Sequence, residues 1–165
     1  MNLKLVCKVV GSVLLIEAPL LLLPALVALI YREDPMPLLL SAAITAAVGF
    51  ALSRIPSKSH FFTREGFCSV GFIWLATGVV GALPFWFSGY FASFIDCFFE
   101  AVSGFTTTGS TILTNIEALP KGILFWRSFT HFLGGMGVLV LATALLPSMG
   151  IRSHYLTQAE TPGPV

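Results

Sequence analysis

Charge is the scarcest commodity in this 165-residue chain: Asp, Glu, Lys and Arg together make up 10% of it, and 9 basic residues nearly cancel 8 acidic ones. A net charge of +1 supplies neither the basic stripe of a nucleic-acid binder nor an acidic face for a basic partner. Cysteine is almost as sparse. Cys7, Cys68 and Cys97 are an odd number set in apolar surroundings, which argues against a disulfide framework or a cysteine metal site and for buried, reduced thiols. No nucleophile paired with a base, no metal-ligand cluster and no nucleotide loop accompanies the few carboxylates, so the chain does not read as an enzyme and implies no cofactor.

What the chain has instead is apolar length. Hydrophobic residues make up 56% of it and the mean hydropathy is +0.89, values of a polytopic membrane protein surrounded by lipid. Four spans are expected: Leu5–Tyr31, Pro37–Ser53, Gly66–Phe91 and Gly122–Leu146. The first is too long for the apolar region of a signal peptide and lacks a small-x-small cleavage site. Pro19 and Pro24 should bend it, and Glu17, a carboxylate at membrane depth, should face protein or water, more as a structural hydrogen-bonding group than as a transport residue. The aromatics Phe85, Trp86, Phe87, Tyr90 and Phe91 suggest an interfacial belt at the end of the third span. Lys4, Lys8, Arg54, Lys58 and Arg64 fall on one side of this layout, which places the amino terminus in the cytoplasm.

Between the third and fourth spans, Phe98–Thr114 reads FFEAVSGFTTTGSTILT, mildly apolar but too short to cross. A segment that enters and leaves on one side keeps irregular backbone at membrane depth only where protein or water, rather than lipid, surrounds it. Phe94–Gly104 should form a short helix whose negative C-terminal end is aimed at Thr106, Thr107, Thr108 and Gly109. Backbone carbonyls of such a run can replace the water around a dehydrated alkali cation. The threonines are expected to hold extended geometry and to add hydroxyls, Gly109 to take an unusual dihedral, and Ser110 to lie at the edge of the site.

Five residues are candidates for supporting this loop. Glu100 lies four residues after Asp96 on the short helix; it either braces the loop from within or attracts cations, while Asp96 suits a cap. Arg127, near the outer interface, is expected to snorkel or to hydrogen-bond loop carbonyls in preference to a proton relay through His131. Gly134, Gly135 and Gly137 allow a close helix crossing, the blander reading, or leave room behind the filter or a bendable gate.

The run Phe99–Thr111, with Trp126-Arg127-Ser128, Gly134-Gly135-Met136-Gly137 and Leu145-Leu146-Pro147, resembles the first pore repeat of the TrkH/TrkG-type subunits of bacterial potassium uptake systems, in the Trk/Ktr/HKT superfamily. The resemblance extends over essentially the whole chain. It implies an all-α polytopic membrane protein: a two-helix transmembrane hairpin over 1–60, a helix–pore loop–helix repeat of potassium-channel-like fold over 61–148, and a linker over 149–165 leading to a second repeat that is absent. It further implies potassium as the transported ion, Gly109 as the selectivity glycine, a multi-pass location in the bacterial inner membrane, a homodimer when full length, and a cytosolic nucleotide-binding regulatory subunit. The chain is then expected to be an N-terminal portion that does not conduct alone. The rival readings are a short channel assembling as a homotetramer and a membrane scaffold that transports nothing.

Overall fold

The computed structural model describes residues 3–56 and 63–145, without the side chains of 63–67 and 138–145. The expected tail from Ser148, the end of the fourth span at Leu146 and the basic link at Lys58 lie outside the described residues, as does the side chain of Arg64. Every regular element among the described residues is helical: α1 (Leu3–Leu20), α2 (Leu22–Ile30), α3 (Met36–Ser53), α4 (Thr63–Gly81), α5 (Leu83–Ser88), α6 (Phe94–Phe105) and α7 (Lys121–Leu145), with one 3-10 turn at Ile116–Ala118.

Three stretches are long and apolar enough to cross a bilayer by length and composition: Leu3–Ile30, Met36–Ser53 and Cys68–Ser88. The first expected span is therefore two helices joined at Leu21. Proline cannot donate, so Pro19 and Pro24 leave carbonyls one turn back without their amides and the axis bends. Bonds from Leu21 to the Glu17 carbonyl (3.2 Å) and from Ala25 to the Leu21 carbonyl (3.4 Å) carry the ladder across the bend. The third span breaks in the same way at Ala82, ahead of Pro84, and stops at Gly89, whose φ of 72° closes α5. The fourth expected span is a single helix, α7, of 25 residues and about 37 Å, but its described residues are not among those three stretches.

Glycine sets how closely the first hairpin packs. A side-chain carbon added at Gly11 would lie 2.6 Å from the Ser53 amide nitrogen and 2.8 Å from the Gly49 carbonyl, so α1 and α3 cross with their backbones in contact. The polar residues buried on α3 are satisfied locally: Ser41 donates to the Pro37 carbonyl (2.6 Å) and Thr45 to the Ser41 carbonyl (2.8 Å).

The core that carries α6 is aromatic. Phe85, Cys97, Ala101, Phe105 and Trp126 are at most 5% exposed, and the Trp126 indole donates to the Gly81 carbonyl at the α4–α5 break (3.0 Å). The expected interfacial belt is thus only partly right. Trp86 and Tyr90 are exposed, but Phe85 and Phe91 pair inside the protein, 5.3 Å between centroids, in the core that also holds Cys97 and Ala101 of α6.

One polar contact ties the first hairpin to α7. Glu33, in the α2–α3 turn, accepts from the amides of Lys121 (2.8 Å) and Gly122 (3.0 Å), the unpaired donors at the start of α7. Replacing Glu33 with Ala in the complete protein should lower stability by about 1–2 kcal/mol in a detergent unfolding titration. A change under about 0.5 kcal/mol would show that these bonds do not hold the helix start.

Candidate functional site

Helix α6 begins with a reciprocal cap: the Ser93 hydroxyl accepts from the Asp96 amide (3.2 Å) and the Asp96 carboxylate from the Ser93 amide (3.1 Å). Its 12 residues rise about 18 Å, well short of a hydrocarbon core. It therefore ends inside the bundle, and the way it ends shapes the loop.

At that end the Thr107 amide donates to the Gly104 carbonyl (2.9 Å) and the Thr108 amide to the Ser103 carbonyl (3.0 Å), the paired bonds of a left-handed helix terminator. Such a terminator needs one residue with positive φ, and here it is Thr107, at 56°. A β-branched side chain in this region costs about 1–2 kcal/mol, which the surrounding bonds must offset. The expectation that the threonines are extended fails at this residue, where closing the helix imposes the opposite hand, and at Thr106, which caps the helix with φ −81° and ψ 0°. Gly109 does take an unusual dihedral, φ 75°.

The result is a divided backbone. The amides of Thr106, Thr107, Thr108 and Gly109 all donate back to carbonyls of Val102, Ser103 or Gly104. Among the described residues, no hydrogen bond reaches the carbonyls of Thr106–Gly109, and Thr106–Ser110 are exposed. The Thr106 and Thr108 hydroxyls lie 2.8 Å apart.

Two bonds hold the strand that leaves the loop against α6. Ser103 donates to the Ser110 carbonyl (2.6 Å), and Thr111 donates to one oxygen of Glu100 (2.9 Å) while accepting from the Leu113 amide (3.1 Å). The other Glu100 oxygen accepts from Arg127 Nε of α7 at 2.5 Å. Glu100 is 1% exposed and the Arg127 side chain 16%. Of the two readings of Glu100, the geometry matches bracing, since both oxygens are engaged by protein. Arg127 departs from expectation: its recorded partner is a carboxylate, not a loop carbonyl, because burial of Glu100 leaves a charge that a nearby guanidinium neutralises best.

Gly134 and Gly135 of α7 sit behind this loop. A side-chain carbon at Gly134 would overlap the Phe105 carbonyl, and one at Gly104 would overlap the Thr130 hydroxyl, so α6 and α7 touch backbone to backbone where α6 ends. Gly135 faces the Thr107 methyl, 3.8 Å from where its own would be, and Gly137 faces Trp74 of α4 at 3.7 Å. Close crossing and room behind the loop are thus the same place. His131 contacts the Arg127 carbonyl through Nδ1 (2.9 Å), and its Nε2 is the nearest atom to a side chain imagined at Gly109 (3.9 Å).

Residues outside the expected set complete the site: Ser103, Thr111, Thr130 and Trp126. Ser103 and Thr111 carry a weak signal, hydroxyls on either side of the loop, the first one turn beyond Glu100 on α6 and the second 11 residues from it. Glu17 departs from its expected structural role, since both its oxygens lack a hydrogen-bond partner among the described residues at 5% exposure. Among the described residues there is no cluster of three His, Cys, Asp or Glu able to hold a metal.

Residues 38–165 match the family model for TrkH, described as a cation transport protein. The chain belongs to the TrkH family. It is 40% identical, over its whole length, to the Trk system potassium uptake protein TrkH of Salmonella typhimurium and 35% identical over 99% of its length to TrkG of Escherichia coli K12. An uncharacterised cation transporter of Methanocaldococcus jannaschii is 31% identical over 94% of the chain. The chain spans about a third of these relatives, 35%, 34% and 33% of their lengths. A TrkH-family chain with these apolar helices is a multi-helix membrane protein.

The buried pair yields a test. In the complete protein, Arg127→Gln strands the Glu100 carboxylate and should destabilise by about 3–5 kcal/mol, whereas adding Glu100→Gln, itself measured alone, should recover much of that loss. Additive losses in this double-mutant cycle would mean that the two side chains do not act as a pair.

Proposed function

We propose that this chain supplies one strand of the selectivity filter of a Trk-type potassium uptake protein, and that potassium crosses the membrane past the carbonyls of Thr106, Thr107, Thr108 and Gly109, with Ser110 at the edge. The carrying observation is the divided backbone: four consecutive amides turned into α6, and four consecutive carbonyls to which no described residue donates. A dehydrated potassium ion needs several hard oxygens and no fixed counter-charge to hold it, which is what free peptide carbonyls provide.

The remaining parts fit that task. α6 ends at the loop, although its last carbonyls are spent on loop amides, so its contribution is mechanical as well as electrostatic. Glu100, Arg127, Ser103 and Thr111 fix the strand so that its oxygens keep their spacing as the ion passes. Gly134 lets α7 sit close enough to back it, with Gly135 beside Thr107 and Gly137 against Trp74 of α4. One strand encloses only part of an ion, so the pathway is completed by further strands of the complete protein. In that protein the amino terminus lies in the cytoplasm of a bacterial inner membrane and the loop opens outward. Assembly is as a homodimer with a cytosolic nucleotide-binding regulator.

Gly109→Ser tests the reading. Serine there meets no steric wall but must hold a φ of 75°, so the strand twists and its carbonyls lose register. In a cell lacking its own potassium uptake, the complete protein with this change should lose preference for potassium over sodium by about tenfold or more, roughly 1.4 kcal/mol. Unchanged preference would remove Gly109 from the filter.

A further inference from the structure

We infer that His131 is a positioning residue of the proposed filter, its imidazole being the spacer that sets where the Gly109 carbonyl stands. The inference rests on the filter reading above and adds a residue of α7 to it. Helix α7 meets the loop at three places. Gly134 lies against the Phe105 carbonyl and Gly135 against the Thr107 methyl, both without a side chain. The third place is one turn back along α7, at His131, where a ring fills the interval.

That ring stands between two glycines of the loop. Nδ1 lies 3.6 Å from where a side-chain carbon at Gly104 would be, and Nε2 3.9 Å from where one at Gly109 would be. These glycines are the inner neighbours of Ser103 and Ser110, and the 2.6 Å bond from the Ser103 hydroxyl to the Ser110 carbonyl draws the two ends of the loop together. Just inside that tie, the imidazole keeps the chain from closing further. The amide bonds agree with this. Those of Thr106, Thr107, Thr108 and Gly109 reach α6 at 2.8, 2.9, 3.0 and 3.4 Å, so the grip of α6 on the loop weakens toward the ring. A bond of 3.4 Å is well beyond the common length of about 2.9–3.0 Å, and the ring beside Gly109 supplies the constraint that this bond does not. The ring is itself held: Nδ1 contacts the Arg127 carbonyl at 2.9 Å. A carbonyl only accepts, so Nδ1 is the donor, and a neutral ring then keeps its lone pair at Nε2, on the side of the strand. Arg127 also pairs with Glu100 through its side chain, so both braces of the loop start from one position of α7.

The test uses the complete protein in a cell lacking its own potassium uptake, with potassium-over-sodium preference and the amount of protein in the membrane read together. His131→Ala should lower the preference by about tenfold at an unchanged amount, the low end of the loss when a residue that orients an ion-bearing group is removed. His131 is only half-buried, so imidazole added to the medium should enter the gap and restore the preference, while leaving the parent protein unaffected. His131→Gln, whose amide reaches as far as Nε2, should keep most of the preference; His131→Leu, which fills the volume without the planar shape, should not. A loss in His131→Ala that neither imidazole nor His131→Gln reverses would make the ring a packing residue alone and overturn the inference. So would an unchanged preference in His131→Ala while Gly109→Ser still lowers it, an outcome that leaves the filter reading standing. If alanine reduces the amount of protein, the contrast between His131→Gln and His131→Leu decides, and equal preference in the two overturns the inference. Should Gly109→Ser also be without effect, the filter reading fails and this inference falls with it.

Discussion

The carboxylate of Glu100 is the point on which the loop depends. It is buried and charged, and its two oxygens reach in different directions, one to a hydroxyl on the strand leaving the loop and one to a guanidinium on the helix behind it. A buried ion pair is seldom a large source of net stability, because desolvation consumes most of the attraction. Its value here is positional. Three segments distant in sequence are held at one atom group, and each loses its place if the others move.

The strain at Thr107 belongs to the same arrangement. A helix that must stop inside the bundle needs a left-handed residue, and glycine would supply it without cost. Threonine holds that geometry because its amide and those on either side are all bonded into α6, while its methyl rests against α7 at Gly135. The amides are spent in this way, while among the described residues no donor reaches the carbonyls of the same four residues. Loop conformation and helix termination are one event.

Much of this was legible in residue order. Long apolar runs broken by proline mark the spans, and the brief Thr-rich stretch between two of them marks a segment that cannot cross. Gly109 answers to its positive φ, and Gly134 to how little room a backbone crossing leaves. Less visible were the contacts between distant segments. Nothing in the order of residues joins Glu33 to the amides of Lys121 and Gly122, or Trp126 to the Gly81 carbonyl, because those partners are chosen by packing. Phe85 and Phe91 misled for a related reason: an aromatic at a helix end suits an interface or a core equally until the next segment folds over it. Thr107 misled because its intrinsic preference for extended backbone is overridden by the demands of the helix it follows.

The spacing of Glu100 and Arg127 also bears on biosynthesis. Arg127 lies 27 residues beyond Glu100, so a ribosome delivers the carboxylate first and its cation only after the following link and the first turns of α7 have been made. For that interval the nascent short helix carries a charge with no counterpart and has reason to stay near the aqueous boundary. Arrival of α7 supplies the guanidinium and the glycine surface together, so insertion of the loop is tied to completion of the segment that follows it.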